Sequence, residues 1–184
     1  MSSVSTQSKI ITVDPTVAAR YRADGWWSDE RHADRIRKLA AERPNDPAYI
    51  TETARFTWRD YDIASERVAA ALLELGLERG DRVAVVLPDG PAVHAALVGV
   101  EKAGLVAVGI GARAGDREIS HLLTRTSAKA LITHAVQRGR PASELKAAVA
   151  EQGAVLQHLI LVPDFMSVTH SATLPLISLL VIKE

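Results

Sequence analysis

The chain has 184 residues, 47% of them hydrophobic and 24% charged, the length and composition of a soluble globular fold able to bury roughly 70% of its unfolded surface. Lys+Arg and Asp+Glu both number 22 and there is no cysteine, which argues against nucleic acid as a bulk electrostatic partner and excludes a disulfide framework, a cysteine-ligated zinc site and a thiol nucleophile. Met1 to Ser8 lacks the basic start and apolar stretch of a signal peptide, and the longest apolar tract, Leu174 to Ile182, is far short of a ~20-residue span, so the expectation is a cytoplasmic chain without membrane insertion.

Residues 1–20 show no sustained period and read as a mobile arm. Trp26 and Trp27 follow, and paired indoles of this kind ordinarily pin an arm onto its domain by filling pockets. A short helix is predicted from about Asp34 to Glu42 with Ile36, Leu39 and Ala40 on one face, ended by Pro44 and Pro47. Ala48–Ile50 and Arg55–Phe56 suit a small hairpin. Thr57 is a candidate helix N-cap with Asp60 as its capping-box partner, and Tyr61, Ala64, Val68, Leu72 and Leu75 trace one apolar stripe up to a C-cap at Gly76.

From there strands and helices alternate. Arg82–Leu87, Leu105–Ile110, Lys129–Thr133 and Leu156–Leu161 read as strands. Helices are predicted from Pro91 with Val93, Ala96, Leu97 and Val100 inward, from Asp116 with Ile119, Leu122 and Leu123, and from Pro141 with Leu145, Ala148 and Val149. Strand starts about 25 residues apart with helical patterns between them imply βαβ crossovers and an α/β fold, a mostly parallel sheet with covering helices. The α/β body is expected over residues 21–164. Residues 165–184 contain no Arg, no Gly and one Ala. This atypical tail reads either as a loop with a closing strand or as an ending foreign to the fold, as after a frameshift or early stop.

Chemistry-bearing motifs are few. Gly109-Ile110-Gly111-Ala112-Arg113-Ala114 fits G-x-G-x-x-[G/A] after a strand, the pattern that lets a pyrophosphate approach a helix N-terminus. It follows the second major strand, Gly115 delays the helix, and the stretch from Lys129 to His134 offers no acidic residue for a ribose. A tight strand-to-helix turn is therefore the favoured reading of these glycines. No Gly-Lys dipeptide exists for a Walker loop and no G-x-S-x-G for a nucleophile elbow. The histidines at 32, 94, 121, 134, 158 and 170 make no i, i+4 pair, which gives no support for a metal site. His94 and His121 are expected at solvent or a polar edge. Ser120 beside His121, and Ser171 beside His170, are chain neighbours only, with nothing to make them a dyad in space. No catalytic, cofactor-binding or metal-binding residue is assigned.

Four segments in order resemble the N-terminal region of the adenylate-forming (AMP-binding) superfamily, of the acyl-CoA synthetase and aryl-acid AMP ligase type. Phe56-Thr57-Trp58-Arg59-Asp60-Tyr61 resembles the motif L-T-Y-x-E-L, and Gly80-Asp81-Arg82-Val83-Ala84-Val85-Val86-Leu87-Pro88-Asp89 resembles G-D-R-V-A-x-x-L-P-N. Glu101-Lys102-Ala103-Gly104 with Leu105 to Val108 resembles L-K-A-G-x-x-x-V, and Tyr21 to Trp27 is similar to the lead-in of members that activate aryl or alicyclic acids. The resemblance runs over about residues 20–162. It departs where the family's Pro-Leu-Asp is replaced by Gly109-Ile110-Gly111.

What the resemblance implies is an incomplete N-terminal subdomain of an ATP-dependent carboxylic acid–CoA ligase. Such enzymes use ATP, Mg and coenzyme A, and take a carboxylic acid as substrate. The family's Ser/Thr/Gly-rich phosphate loop ending Pro-Lys-Gly, its Tyr-x-x-Thr-Glu segment, its ribose-binding Asp and its C-terminal Lys have no counterpart. The Ser167 to Thr173 run carries neither Gly nor Lys. The expectation is a fragment that binds no cofactor by itself and is inactive alone. Two alternatives stay open, a stand-alone α/β nucleotide-binding module at the Gly109 turn, and a non-catalytic interaction subunit that self-associates or takes a partner through an unfinished sheet edge.

Overall fold

A computed structural model describes residues 13–52, 55–162 and 180–182, and the chain divides into two units between Arg31 and His32. In the first unit, the stretch expected as an arm carries a helix, α1 (Pro15–Ala23). Asp14 caps it by accepting the Thr16 N–H at 2.7 Å, and Pro15 supplies a preset φ at the first position. These are local cap effects, which an apolar-period search does not register. The Tyr21 carbonyl accepts the backbone N–H groups of Trp26 and Trp27, and the Tyr21 and Trp27 rings meet edge-on at 5.2 Å. Trp26 is 78% exposed and Trp27 38%, so the expectation of indoles filling pockets is corrected: neither is buried, and Trp27 rests edge-on against Tyr21 of the same unit.

The second unit is the α/β body. Its elements are α2 (His32–Glu42), the antiparallel pair β1 (Pro47–Ile50) and β2 (Arg55–Thr57), then α3 (Trp58–Glu74), β3 (Arg82–Leu87), α4 (Pro91–Lys102), β4 (Val106–Gly111), α5 (Asp116–Thr126) and β5 (Ala130–His134). A two-residue hairpin of β6 (Val136–Gln137) and β7 (Arg140–Pro141), α6 (Ala142–Glu151), β8 (His158–Val162) and β9 (Leu180–Ile182) complete it.

The main sheet has the order β4-β3-β5-β8-β9. Its first four strands are parallel, and β9 closes one edge antiparallel to β8. The rest of the tail, including the Ser167 to Thr173 run and His170, lies outside the described residues.

Strand periodicity assigns each face. Val83, Val85, Leu87, Ala130, Ile132, Ile160 and Val162 pack with Val68 and Leu72 of α3 and with Ala92, Ala96 and Val100 of α4. The alternate residues Ala84, Val86, Ile110, Leu131, Leu159 and Leu161 pack under α5 and α6 through Ile119, Leu123, Leu145 and Val149. Two covered faces explain why β3, β5 and β8 read as unbroken apolar runs instead of alternating ones. Each fully buried aliphatic side chain here contributes about 1.5–3 kcal/mol.

Helix α3 starts as its sequence requires. The Asp60 N–H donates to Thr57 Oγ1 at 3.2 Å and the Thr57 N–H donates back to Asp60 Oδ2 at 2.9 Å, a complete capping box. At its other end Gly76 takes a φ of 76° after the C-cap. Tyr61 is buried in a corner between α2, α3 and α4 with Ile36, Phe56 and Val98. That burial, with the Glu101 charge second, pushes its hydroxyl up to about 12.

One expectation is revised. Val93 and Leu97 are only half-buried, while Ala95, Val98 and Gly99 are buried, because α4 packs against α3 and α2 as well as against the sheet. Strand β4, whose place in the sheet its sequence left open, is the sheet edge, with Val106 48% exposed.

The amino ends of the strands are tied by the Gly80-Asp81-Arg82 turn. The Asp81 carboxylate accepts the Lys129 Nζ and the Glu78 N–H, each at 2.8 Å. Arg82 donates to the Thr126 and Ser127 carbonyls at the end of α5, at 2.7 and 3.1 Å. The Lys129 bond first, and the Glu78 N–H second, hold the Asp81 carboxyl below its usual range. A depressed carboxyl stabilises the fold above the ordinary pKa of 3.8, and that stability is lost as pH falls through the folded-state value. Asp81→Asn is therefore expected to cost about 1 kcal/mol at pH 7, with the two proteins converging in acid once the Asp81 carboxyl is protonated in the folded state; urea midpoints across pH check it.

Candidate functional site

In an open α/β sheet, ligands collect at the carboxyl ends of the strands beside the point where strand order reverses. Here the chain runs from β3 out to β4 and then back across to β5, so the reversal lies between β3 and β5. The segments that emerge there are Pro88–Gly90, Ala112–Gly115 and the residues following His134.

A groove of about 870 Å³ lies beside the ends of β3 and β4. Val85, Leu87, Gly109 and Gly111 form its floor, Val93 and Leu97 of α4 its wall, and Asp89, His94 and Arg113 stand at its rim. Register explains the shape. Gly109 pairs with Val85 and Gly111 with Leu87, so both glycines present their missing side chains on the α4 side of the sheet. An added Cβ at either would meet nothing within 4 Å, and neither has a positive φ. The tight-turn reading of these glycines is thus corrected. Both lie inside β4 in ordinary strand conformation, and what they do is leave space.

At the rim, the Tyr49 hydroxyl donates to Asp89 Oδ1 at 3.4 Å, and His94 Nε2 lies 3.6 Å from the same oxygen. The Tyr49 and His94 rings are 5.2 Å apart. Partial burial, with Asp89 second, raises the Tyr49 hydroxyl above its ordinary value. His94 is part-exposed and His121 exposed, as expected. Ser120 is buried and its Oγ lies 3.4 Å from the Val149 and Gln152 carbonyls of the α6 end. The side chains of Ser120 and His121 therefore face different surroundings, and the pair is no dyad.

A second recess of about 420 Å³ lies between the α5 N-terminus and the β6–β7 hairpin. Both turn residues of that hairpin, Arg138 and Gly139, have positive φ, 53° and 77°, as a two-residue type I′ turn requires. Arg occupies the position where Asn or Asp would have announced the turn, so the sequence signal was hidden. The hairpin clamps the loop after β4. Gln137 Nε2 donates to the Ala112 carbonyl at 2.9 Å, and Arg138 reaches the Arg113 carbonyl at 3.3 Å. Arg140 holds Asp116 with two bonds, at 2.9 and 2.5 Å. That pairing lowers the Asp116 carboxyl and raises the Arg140 guanidinium.

The end of β5 places Thr133 and His134 at the reversal point. His134 Nδ1 lies 3.1 Å from the Val162 carbonyl. Thr133 is fully buried and its hydroxyl has no hydrogen-bond partner, a cost that buried polar groups seldom carry. The strand expected over Lys129–Thr133 took in Thr133 and stopped short of His134, which closes β5, and neither residue was given a role.

The profile of the AMP-binding enzyme family matches residues 36–174. The chain belongs to this family. It is 36% identical over 100 residues to a long-chain-fatty-acid–CoA ligase of Haemophilus influenzae, covering 54% of this chain and 18% of that protein. It is 30% identical over 155 residues to the salicyl-AMP ligase / salicyl-S-ArCP synthetase of Mycobacterium tuberculosis, covering 80% of this chain and 27% of the relative. The solved apo structure of Mycobacterium smegmatis MbtA superposes with a TM-score of 0.70 at 30% identity, covering 80% of this chain and 27% of that one. The chain thus spans about a fifth to a quarter of the length of these relatives.

Within this AMP-binding chain several residues of the family-like motifs fall on caps and turns. Thr57 and Asp60 start α3, Gly80 to Arg82 tie the amino ends of the strands, and Gly104 makes the left-handed turn into β4, with φ 74°. None of these cap and turn residues lines the groove or the recess, whereas Val85, Leu87, Pro88 and Asp89, later in the second of these motifs, line the groove. The recess at the α5 N-terminus does not fit a nucleoside triphosphate. The α5 N-terminus carries Asp116 and Glu118 in its first turn, so the dipole's positive end is already met by the chain's own carboxylates. Arg138 and Arg140 are engaged with carbonyls and with Asp116. Among the described residues there is no group of three or more His, Asp or Glu placed to hold a metal ion, and no helix is long and apolar enough to cross a membrane.

Proposed function

We propose that this chain is the N-terminal segment of an ATP-dependent acid–CoA or acid–AMP ligase and that it does not complete adenylation by itself. In that reaction a carboxylate oxygen attacks the α-phosphorus of ATP, pyrophosphate leaves, and the acyl group then passes from AMP to the thiol of coenzyme A. The observation that carries the reading is the family match across residues 36–174, joined to a sequence without a Pro-Lys-Gly phosphate loop. Relatives named for long-chain fatty acids and for salicylate support a carboxylic acid with an apolar body as the substrate class. The intended compartment is the cytoplasm.

The test is ATP–pyrophosphate exchange by the purified chain with decanoate, benzoate and salicylate in turn. The expected result is no exchange above the protein-free blank; acid-dependent exchange overturns it. A non-catalytic assembly role is the second reading, and the uncovered β4 edge favours it over a stand-alone nucleotide module, for which the occupied α5 N-terminus is a poor cradle.

A further inference from the structure

We propose that the outer edge of β4 and the groove above its glycines receive one extended, uncharged segment with bulky aliphatic side chains at every second position, supplied by the part of an adenylate-forming enzyme that this chain does not span. Three observations lead there. The first is that β4 is an undefended edge. It pairs on one side with β3 in unbroken register over six residues, and no other strand of the described sheet pairs with its outer side. Val106 to Gly111 holds no charge and no proline, and its register shows no bulge. Natural sheets normally guard such an edge with one of these devices or cover it. The opposite edge is covered, by antiparallel β9.

The second observation is the groove. Ala107, Gly109 and Gly111 share the face that carries Val83, Val85 and Leu87. That face is tightly filled under α4 at β3 and vacant at β4, where added Cβ atoms at both glycines meet nothing within 4 Å. Small residues that the chain's own backbone and packing do not require leave room for side chains from elsewhere. Strand addition fits both features at once, because main-chain hydrogen bonds satisfy the edge while alternate side chains enter the groove.

The third observation selects the occupant. A second copy pairing β4 to β4 would set alanine and glycine opposite alanine and glycine and leave the groove unfilled. The relatives, by contrast, carry roughly three-quarters of their length outside the stretch this chain matches, ample to supply a strand. An edge with no charge of its own selects an uncharged strand. Only the source of the strand rests on the ligase reading; the edge and groove do not.

The experiment uses the whole chain and a fluorescein-labelled, end-capped nonapeptide in which valine alternates with threonine between terminal lysines. Saturable binding by anisotropy is expected, with amide exchange across Val106–Gly111 slowed. A peptide with proline in place of threonine is expected to bind about tenfold more weakly. Gly109→Val with Gly111→Val fills the groove and is expected to weaken binding about tenfold; Ala107→Lys, which charges the edge, does the same by a separate route.

Absence of saturable binding overturns the proposal, as does equal binding by the two charged or filled variants. Concentration-dependent dimerisation abolished by Ala107→Lys also overturns it, since the occupant is then a second copy. The readout uses neither ATP nor acid. A positive exchange assay therefore refutes the ligase-fragment reading without touching this one, and a negative binding result leaves that reading intact.

Discussion

Gly99→Ala is expected to destabilise the chain by about 1–3 kcal/mol, although the same change in an exposed helix interior stabilises by about 1 kcal/mol. The sign reverses because Gly99 is where α4 crosses α3. A Cβ there would stand 2.5 Å from Val68 Cβ, 2.6 Å from Val68 Cγ1 and 2.8 Å from the Ser65 carbonyl oxygen, against a comfortable carbon–carbon separation of about 3.5–4.0 Å. Two of these atoms, a Cβ and a carbonyl oxygen, cannot rotate away, so the helices must part. Val68→Ala keeps its own Cβ and should not rescue the variant. Gly109→Ala is the control, since its Cβ meets nothing and its backbone is ordinary strand; it should lie within about 0.5 kcal/mol of the parent or above it. Urea denaturation of the three variants beside the parent checks the set.

Lys102→Met is expected to cost about 3–5 kcal/mol, the cost of stranding a partner charge. The Lys102 side chain is only 3% exposed, and its ammonium donates to Asp62 Oδ1 at 2.5 Å and to the Asp62 carbonyl at 3.0 Å. Glu66 stands at 3.7 Å. Removing the lysine leaves the Asp62 carboxylate, itself 18% exposed, in a poorly solvated cleft between α3 and α4. Removing both charges with Lys102→Met and Asp62→Leu should recover most of the loss, because paired apolar replacements at such sites are often neutral. The loss from Lys102→Met should persist at high salt. By contrast, the exposed Lys38–Glu42 pair at 4.0 Å should contribute little at any ionic strength. Unfolding midpoints at two salt concentrations separate these outcomes.

Much of the body was legible in the chain because its signals are local. The capping box at Thr57 and Asp60, the stripe from Tyr61 to Leu72, Pro91 at the head of α4 and the unbroken run from Arg82 to Leu87 each act within a few residues. The β6–β7 hairpin escaped because Arg138 takes a left-handed conformation with no residue-type warning. The candidate site was the least legible part. Gly109 and Gly111 suggested a phosphate motif or a turn, yet their meaning depends on Val85 and Leu87 alongside and on α4 above, all distant in sequence.

Sequence alone determined the alternation of strands and helices, their approximate ends and the ordered motifs of the AMP-binding family, because propensity, capping and hydrophobic period are properties of short windows. Tertiary structure decided which strand became the edge, which helix crossing demanded a glycine, which lysine lost its water, and where space was left unfilled. Those follow from strand order and helix contact, and both are set by pairings between residues that no window holds together. Val106 to Ile110 is uncharged and apolar enough for any place in the sheet, and only the strand order β4-β3-β5-β8-β9 puts it at the rim.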